Sequence, residues 1–124
     1  MRELQPLIDS LLPDLVALRH ELHRHPELAY EEHGTAARIV DQLQHVPGIT
    51  LRTGVAGTGV VATLGADRPG PCVALRADMD ALPIEEQGDH AHRSTVPGKM
   101  HACGHDGHVT CLVGAAQVLA QLGD

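Results

Sequence analysis

Aromatic side chains are nearly missing from this sequence. Its 124 residues include one tyrosine, Tyr30, and neither Phe nor Trp. Any core must therefore be packed by Leu, Val, Ile and Ala. A hydrophobic content of 43% against 20% charged residues allows such a core and excludes wholesale disorder. Basic charge is also short, with 9 Lys and Arg against 16 Asp and Glu, for a net charge of −7 with His neutral. A nucleic-acid partner is excluded on that balance, because neutralising phosphates needs Lys and Arg. Long apolar runs are absent too. The longest uncharged stretch, Val109 to Gly123, is too short and mixed for a bilayer span, which takes about 20 predominantly apolar residues. The N-terminus carries acids among its leucines and has no signal-peptide apolar region, so a cytoplasmic protein without a membrane partner is expected. Cys72, Cys103 and Cys111 are too few and odd in number for a disulfide framework, which suits a reducing compartment.

Histidine is plentiful: there are ten, gathered mainly in residues 20–33 and 90–108, the second group with a cysteine among them.

The periodicity predicts the elements in order. Leu4, Leu7, Ile8, Leu11, Leu12, Leu15, Leu18 and Leu22 recur at helical spacing and predict a helix over residues 3–24. Pro13 inside it should kink or briefly break it, and His25-Pro26 should end it. Ala36, Ala37, Ile39, Val40 and Leu43 predict a second helix over 31–45, closed by Pro47-Gly48. Beyond Ile49, the stretches ITLRT, GVVATL and CVALRA read as strands separated by glycine turns. Residues 84–99 are polar and aperiodic, hence loop, and residues 107–122 read as a largely buried helix of small residues. The expected class is α/β, the opening part of an α/β sandwich.

Two constellations carry chemistry. In MHACGHDGH, residues 100–108, His101, Cys103 and His105 alternate and would share one side of an extended segment. Imidazole and thiolate suit Zn²⁺ and other transition metals, and the flanking glycines let the backbone bend around an ion. Asp106 is the expected N-cap of the helix that follows. In LRADMDALP, residues 75–83, Asp78 and Asp80 end an apolar strand, where open α/β sheets place ligands. Such a pair can bind a cation, orient a ligating histidine, or cap a turn before Pro83.

Glu31-Glu32 and Glu85-Glu86 read as structural, the first complementing a helix N-terminus and the second lying in a solvated loop. His20, His23 and His25 flank a helix end and have no ligand-like spacing. Cys72 and Cys111 sit in apolar runs and read as small hydrophobes.

Taken together, LHRHPELAYEEHGTA, GTGVVATL, LRADMDALPIEE and PGKMHACGHDGH, in that order, resemble the M20 metallopeptidase family. More narrowly they resemble its aminoacylase branch of hippurate hydrolases, N-acyl-amino-acid amidohydrolases and auxin-conjugate hydrolases. The resemblance implies a zinc-exopeptidase-like α/β/α sandwich, of which residues 1–124 form the N-terminal part of the catalytic domain, without the lid and dimerisation domain. It implies two divalent metal ions, manganese above all, with zinc, cobalt or nickel as alternatives, and Cys103 and His105 as ligands. Asp80 takes a supporting catalytic role, while Asp78, His101, Asp106 and His108 surround the ligands.

The implied reaction is hydrolysis of an N-acyl amino acid by metal-activated water, with a glutamate moving the proton. That glutamate lies downstream of the HACGHDGH element in the family, and the residues after His108 include neither Glu nor His. The chain alone is therefore expected to be inactive, whereas its parent is an enzyme acting on a small molecule and able to oligomerise. The alternative from another class is a small metal-binding or regulatory module derived from a hydrolase fragment.

Overall fold

A computed structural model describes residues 3–123. Three helices and a hairpin follow one another: α1 (Leu4–Arg24), α2 (His33–Leu43), β1 (Ile49–Val55), β2 (Gly59–Leu64) and α3 (His105–Leu122). Both of the first helices lie within their expected ranges. α1 runs unbroken through Pro13, so of the kink or break expected there the break does not form. Pro13 lies on an exposed turn, as does Asp9, whose carbonyl would have accepted its missing N–H, so water can take up the lost bond.

The core gathers on the C-terminal half of α1. Leu18 and Leu22 are buried with Ile39 and Leu43 of α2 and Val109 and Val113 of α3, and Leu15, Val46, Ile49, Leu51 and Val60 pack around them. These are aliphatic side chains, as the scarcity of aromatics requires. Each contributes about 1.5–3 kcal/mol when fully buried. The N-terminal part of the leucine stripe is uncovered: Leu4, Ile8 and Leu12 are 49%, 39% and 49% exposed.

α3 lies against α1 at very short range. A Cβ at Gly114 would sit 2.8 Å from Leu15 Cδ1, so the backbone of α3 can approach only because this residue has no side chain. The buried stripe of α3 is Asp106, Val109, Thr110, Val113 and Gly114, at the helical spacing that faces one side. Cys111 falls off that stripe and is exposed, as is Cys72. The reading of both as small hydrophobes therefore does not extend to burial.

β1 and β2 pair antiparallel from Ile49↔Leu64 to Arg52↔Val61, then resume at Val55↔Gly59 after an irregularity. The third expected strand, CVALRA, does not form. Residues 71–80 have no ladder partner among the described residues, and Val73 and Leu75 are 82% and 60% exposed. An apolar run becomes a strand only when a neighbour satisfies its N–H and C=O groups. Just beyond, two isolated bridges tie the chain down, Leu28↔Ala81 parallel and Leu82↔Met100 antiparallel. They set the DMDALP segment beside the end of α1 on one flank and beside the MHACGHDGH segment on the other. Residues 84–99 form a loop, as expected.

Candidate metal centre

The Leu82–Met100 bridge is closed by two hydrogen bonds, Leu82 N–H to Met100 O at 2.9 Å and Met100 N–H to Leu82 O at 3.0 Å. It fixes the register between the two chemistry-bearing segments. The chain then turns at Ala102–Cys103, and Gly104, at φ +79°, starts α3. That left-handed conformation suits glycine.

The turn undoes the expected alternation of His101, Cys103 and His105. His101 is buried at 4% exposure, Cys103 is exposed and His105 is the half-buried first residue of α3. The three do not share a side because the segment is not extended.

His105 meets Asp80. Its Nδ1 is 2.9 Å from the Asp80 carbonyl oxygen and 3.0 Å from Oδ1. Both are acceptors, so Nδ1 carries the proton and Nε2 is left with a free lone pair. Imidazoles that ligate metals are held in this way, through the ring N–H opposite the metal. Asp78 does not join them. Its side chain is 46% exposed and Oδ1 takes a hydrogen bond from Arg76 at 2.6 Å. His108 is exposed, with its ring 5.7 Å from that of His105. A free thiol at Cys103 and an imidazole lone pair at His105 are a donor set that fits a transition metal.

Asp106 does not cap α3. The N-cap position is Gly104 and no side chain caps the helix. Asp106, 1% exposed, points instead into the packing against α1. Its Oδ2 accepts from Arg19 Nε at 3.0 Å and from His23 Nδ1 at 2.7 Å. Burial pushes this carboxyl up, but the His23 hydrogen bond, the His101 and Arg19 charges and the Gly107 N–H outweigh it and hold it below the usual carboxylate range.

The other nitrogen of His23 reaches Glu86, with Nε2 3.0 Å from Oε1. The same oxygen is 2.7 Å from His90 Nε2, and Oε2 accepts the Ser94 N–H. Glu86 is 4% exposed, so its reading as part of a solvated face is corrected. Burial raises its pKa, yet the Ser94 N–H and the two histidines bring it below the ordinary value. Glu32, at 7% exposure and bonded to the Thr58 hydroxyl at 2.7 Å, is likewise not solvated. Glu31 and Glu85 do lie at the surface.

Histidines crowd this side of the molecule. His20 stacks on His92 at 3.9 Å, His92 lies 4.1 Å from His90, and His23 lies 6.4 Å from His101. Burial keeps His101 neutral to lower pH than usual, against the opposing pull of Asp106. Among the described residues neither of its ring nitrogens has a hydrogen-bond partner, and Asp106 Oδ1 has none either. Sequence spacing could not announce this cluster, because His23, Glu86 and His90 come from a helix and a loop far apart in the chain. The density of histidine in both segments was its only visible trace.

Comparison with known proteins finds one consistent likeness. Residues 74–124, which hold both chemistry-bearing segments, match the model of peptidase family M20/M25/M40. The chain is 53% identical over 105 residues to the IAA-amino acid hydrolase ILR1-like 2 of Arabidopsis thaliana, covering 85% of this chain and 24% of that protein. It is 44% identical over 122 residues to the N-acyl-L-amino acid amidohydrolase of Geobacillus stearothermophilus, covering 98% of this chain and 33% of that one. Among solved structures, the YXEP protein of Bacillus subtilis, described as a dinuclear metal binding peptidase from the M20 family, superposes with a TM-score of 0.85 at 39% identity. That match covers 92% of this chain and 32% of the other. The chain therefore spans about a third or less of the proteins it matches. Over the length it spans, the chain is similar to amidohydrolases and to peptidases of the M20 family.

Proposed function

We propose that the chain forms the N-terminal part of the catalytic domain of a parent enzyme that hydrolyses N-acyl amino acids, and that it supplies Cys103 and His105 to a centre of two divalent metal ions. Relatives named as N-acyl-L-amino acid and IAA-amino acid hydrolases support the substrate class. The dinuclear neighbour supports the metal count. The observation that carries the reading is the contact of His105 Nδ1 with both acceptors of Asp80.

Bound divalent ions, manganese foremost, supply Lewis acidity that polarises the scissile carbonyl and acidifies water. The residues of this chain prepare their surroundings. Asp80 fixes the tautomer and direction of His105, leaving Nε2 to ligate. Cys103 presents its thiol at the exposed turn just before α3, and its free state suits a reducing, cytoplasmic setting. Asp106 locks the start of α3 to α1 through Arg19 and His23, which keeps His105 in place. A proton-moving base from outside this chain fits the engagement of its two buried glutamates. Glu86 is committed to His23, His90 and Ser94, and Glu32 to Thr58. The isolated chain is accordingly inactive.

The test is release of free amino acid from an N-acyl amino acid, measured for the Mn²⁺-loaded protein in its source form and for the 124-residue chain. The source form turns over and loses about 100-fold or more with His105→Ala, while the chain alone releases nothing. A metal-loaded source form that hydrolyses no N-acyl amino acid overturns the reading. Turnover by the isolated chain overturns its stated incompleteness.

A further inference from the structure

We propose that His23, Glu86 and His90 form a separate cation site that takes one Zn²⁺, apart from the Cys103–His105 pair. Their ligand atoms all lie within 4.8 Å of one another. His23 Nε2 is 3.0 Å and His90 Nε2 2.7 Å from Glu86 Oε1. Zinc bonds of about 2.0–2.2 Å place tetrahedral ligands somewhat over 3 Å apart, so each imidazole nitrogen would draw back from Glu86 Oε1 by a few tenths of an ångström, with the two nitrogens coming to a similar separation from within 4.8 Å of each other. Two imidazoles and one carboxylate are an ordinary zinc donor set.

Proton counting shows why a cation belongs there. Asp106 Oδ2 accepts from His23 Nδ1 at 2.7 Å, so a neutral His23 has spent its one N–H on that side. Its Nε2 lone pair then faces a carboxylate oxygen at 3.0 Å, with a second imidazole on the same oxygen. Two facing acceptors repel unless something positive lies between them. That is either an extra proton on His23, in which case both imidazoles can donate to Glu86 Oε1, or a metal ion ligated by all three atoms.

The supports are also those of a metal site. Asp106 orients His23 from behind, and the Ser94 N–H holds the other oxygen of Glu86, as carboxylates and backbone groups do around metal ligands. His23 and Glu86 are buried, whereas the His90 side chain is 39% exposed and provides the entry. The ligands come from α1 and the 84–99 loop, so the ion would pin that loop to the helix.

Zn²⁺ binding by the full chain tests this, counted by native mass spectrometry and equilibrium dialysis, with Co²⁺ absorption reporting the ligand set. The double variant Cys103→Ala/His105→Ala removes the other donor pair. It is expected to retain one Zn²⁺ per chain and to give a Co²⁺ spectrum without thiolate charge transfer. Adding His90→Ala, at a partly exposed side chain, weakens that ion about tenfold or more while circular dichroism stays unchanged. Glu86→Gln gives a second route to the same loss. Zinc binding abolished by the Cys103/His105 changes alone overturns the proposal. So does an affinity in the double variant unaffected by His90→Ala, since the gap is then closed by a proton.

Discussion

Asp80 grips His105 by two oxygens of different origin, its backbone carbonyl at 2.9 Å and its carboxylate at 3.0 Å from the same Nδ1. The backbone half of this contact survives any substitution of the side chain. Asp80→Ala should therefore leave the His105 tautomer as it is while loosening the ring and lowering its basicity. We expect metal affinity at the Cys103–His105 pair to fall about tenfold, at the lower end of the 10–100-fold cost of losing such a partner. His105→Ala should cost more. Mn²⁺ titration of the two variants checks the order, and equal losses would show that Asp80 acts through something other than His105.

The join between α1 and α3 makes a second prediction. Gly114→Ala gains up to about 1 kcal/mol of helix propensity but sets a Cβ 2.8 Å from Leu15 Cδ1. Leu15 must move, so the two effects largely cancel. Gly114→Val cannot be absorbed in this way and should lose about 1–3 kcal/mol through overpacking. In a Leu15→Ala background the valine penalty should shrink, and a double-mutant cycle on urea midpoints measures the coupling.

These two contacts also show how far the sequence was legible. Helix periodicity located α1, α2 and α3 because leucine and alanine spacing reports a buried face directly. The strand reading of CVALRA failed because β structure depends on a partner that composition does not encode. Asp106 illustrates a different limit. As a polar residue near a helix start it has the local signature of a cap, but its partners Arg19 and His23 lie on another helix. Spacing within MHACGHDGH likewise identified metal-type donors but not their directions, since a turn at Ala102–Cys103 breaks the alternation of the three. Family resemblance supplied what neither argument could, the choice of Cys103 and His105 among the candidates.

The Asp106 network predicts a large and graded loss of stability. Asp106→Ala takes away the acceptor of the buried His23 Nδ1 and of Arg19 Nε, and leaving a buried donor unpaired costs about 1–3 kcal/mol. Arg19→Ala should cost much less, since that side chain is 40% exposed and water replaces its contact. Thermal melts of the two variants rank them, and a milder Asp106 variant would mean that the orphaned groups find water.

Glu27 carries a pH dependence whose sign can be stated. Its carboxylate accepts the Gly34 N–H at 2.9 Å and both the N–H and the hydroxyl of Thr35. It thereby caps α2, whose own N-cap residue, Glu32, makes no side-chain capping bond. Burial raises the Glu27 pKa, but the Thr35 hydroxyl, the Gly34 and Thr35 N–H groups and the Arg38 charge outweigh it, so the folded value lies below the ordinary 4.5. A depressed carboxylate pKa stabilises the fold at pH above the unfolded value and loses that stabilisation as pH falls through the folded one. Hydrogen bonds to a charged group of this kind are worth about 1.5–3 kcal/mol. Glu27→Gln should therefore be less stable than the parent chain by roughly that amount at pH 7, with the gap narrowing below about pH 4.5 and closing once the native carboxyl protonates. Urea denaturation of both proteins from pH 7 to pH 3 measures the gap. A difference that stays constant across that range would assign the effect to shape and packing at the start of α2 and not to the charge.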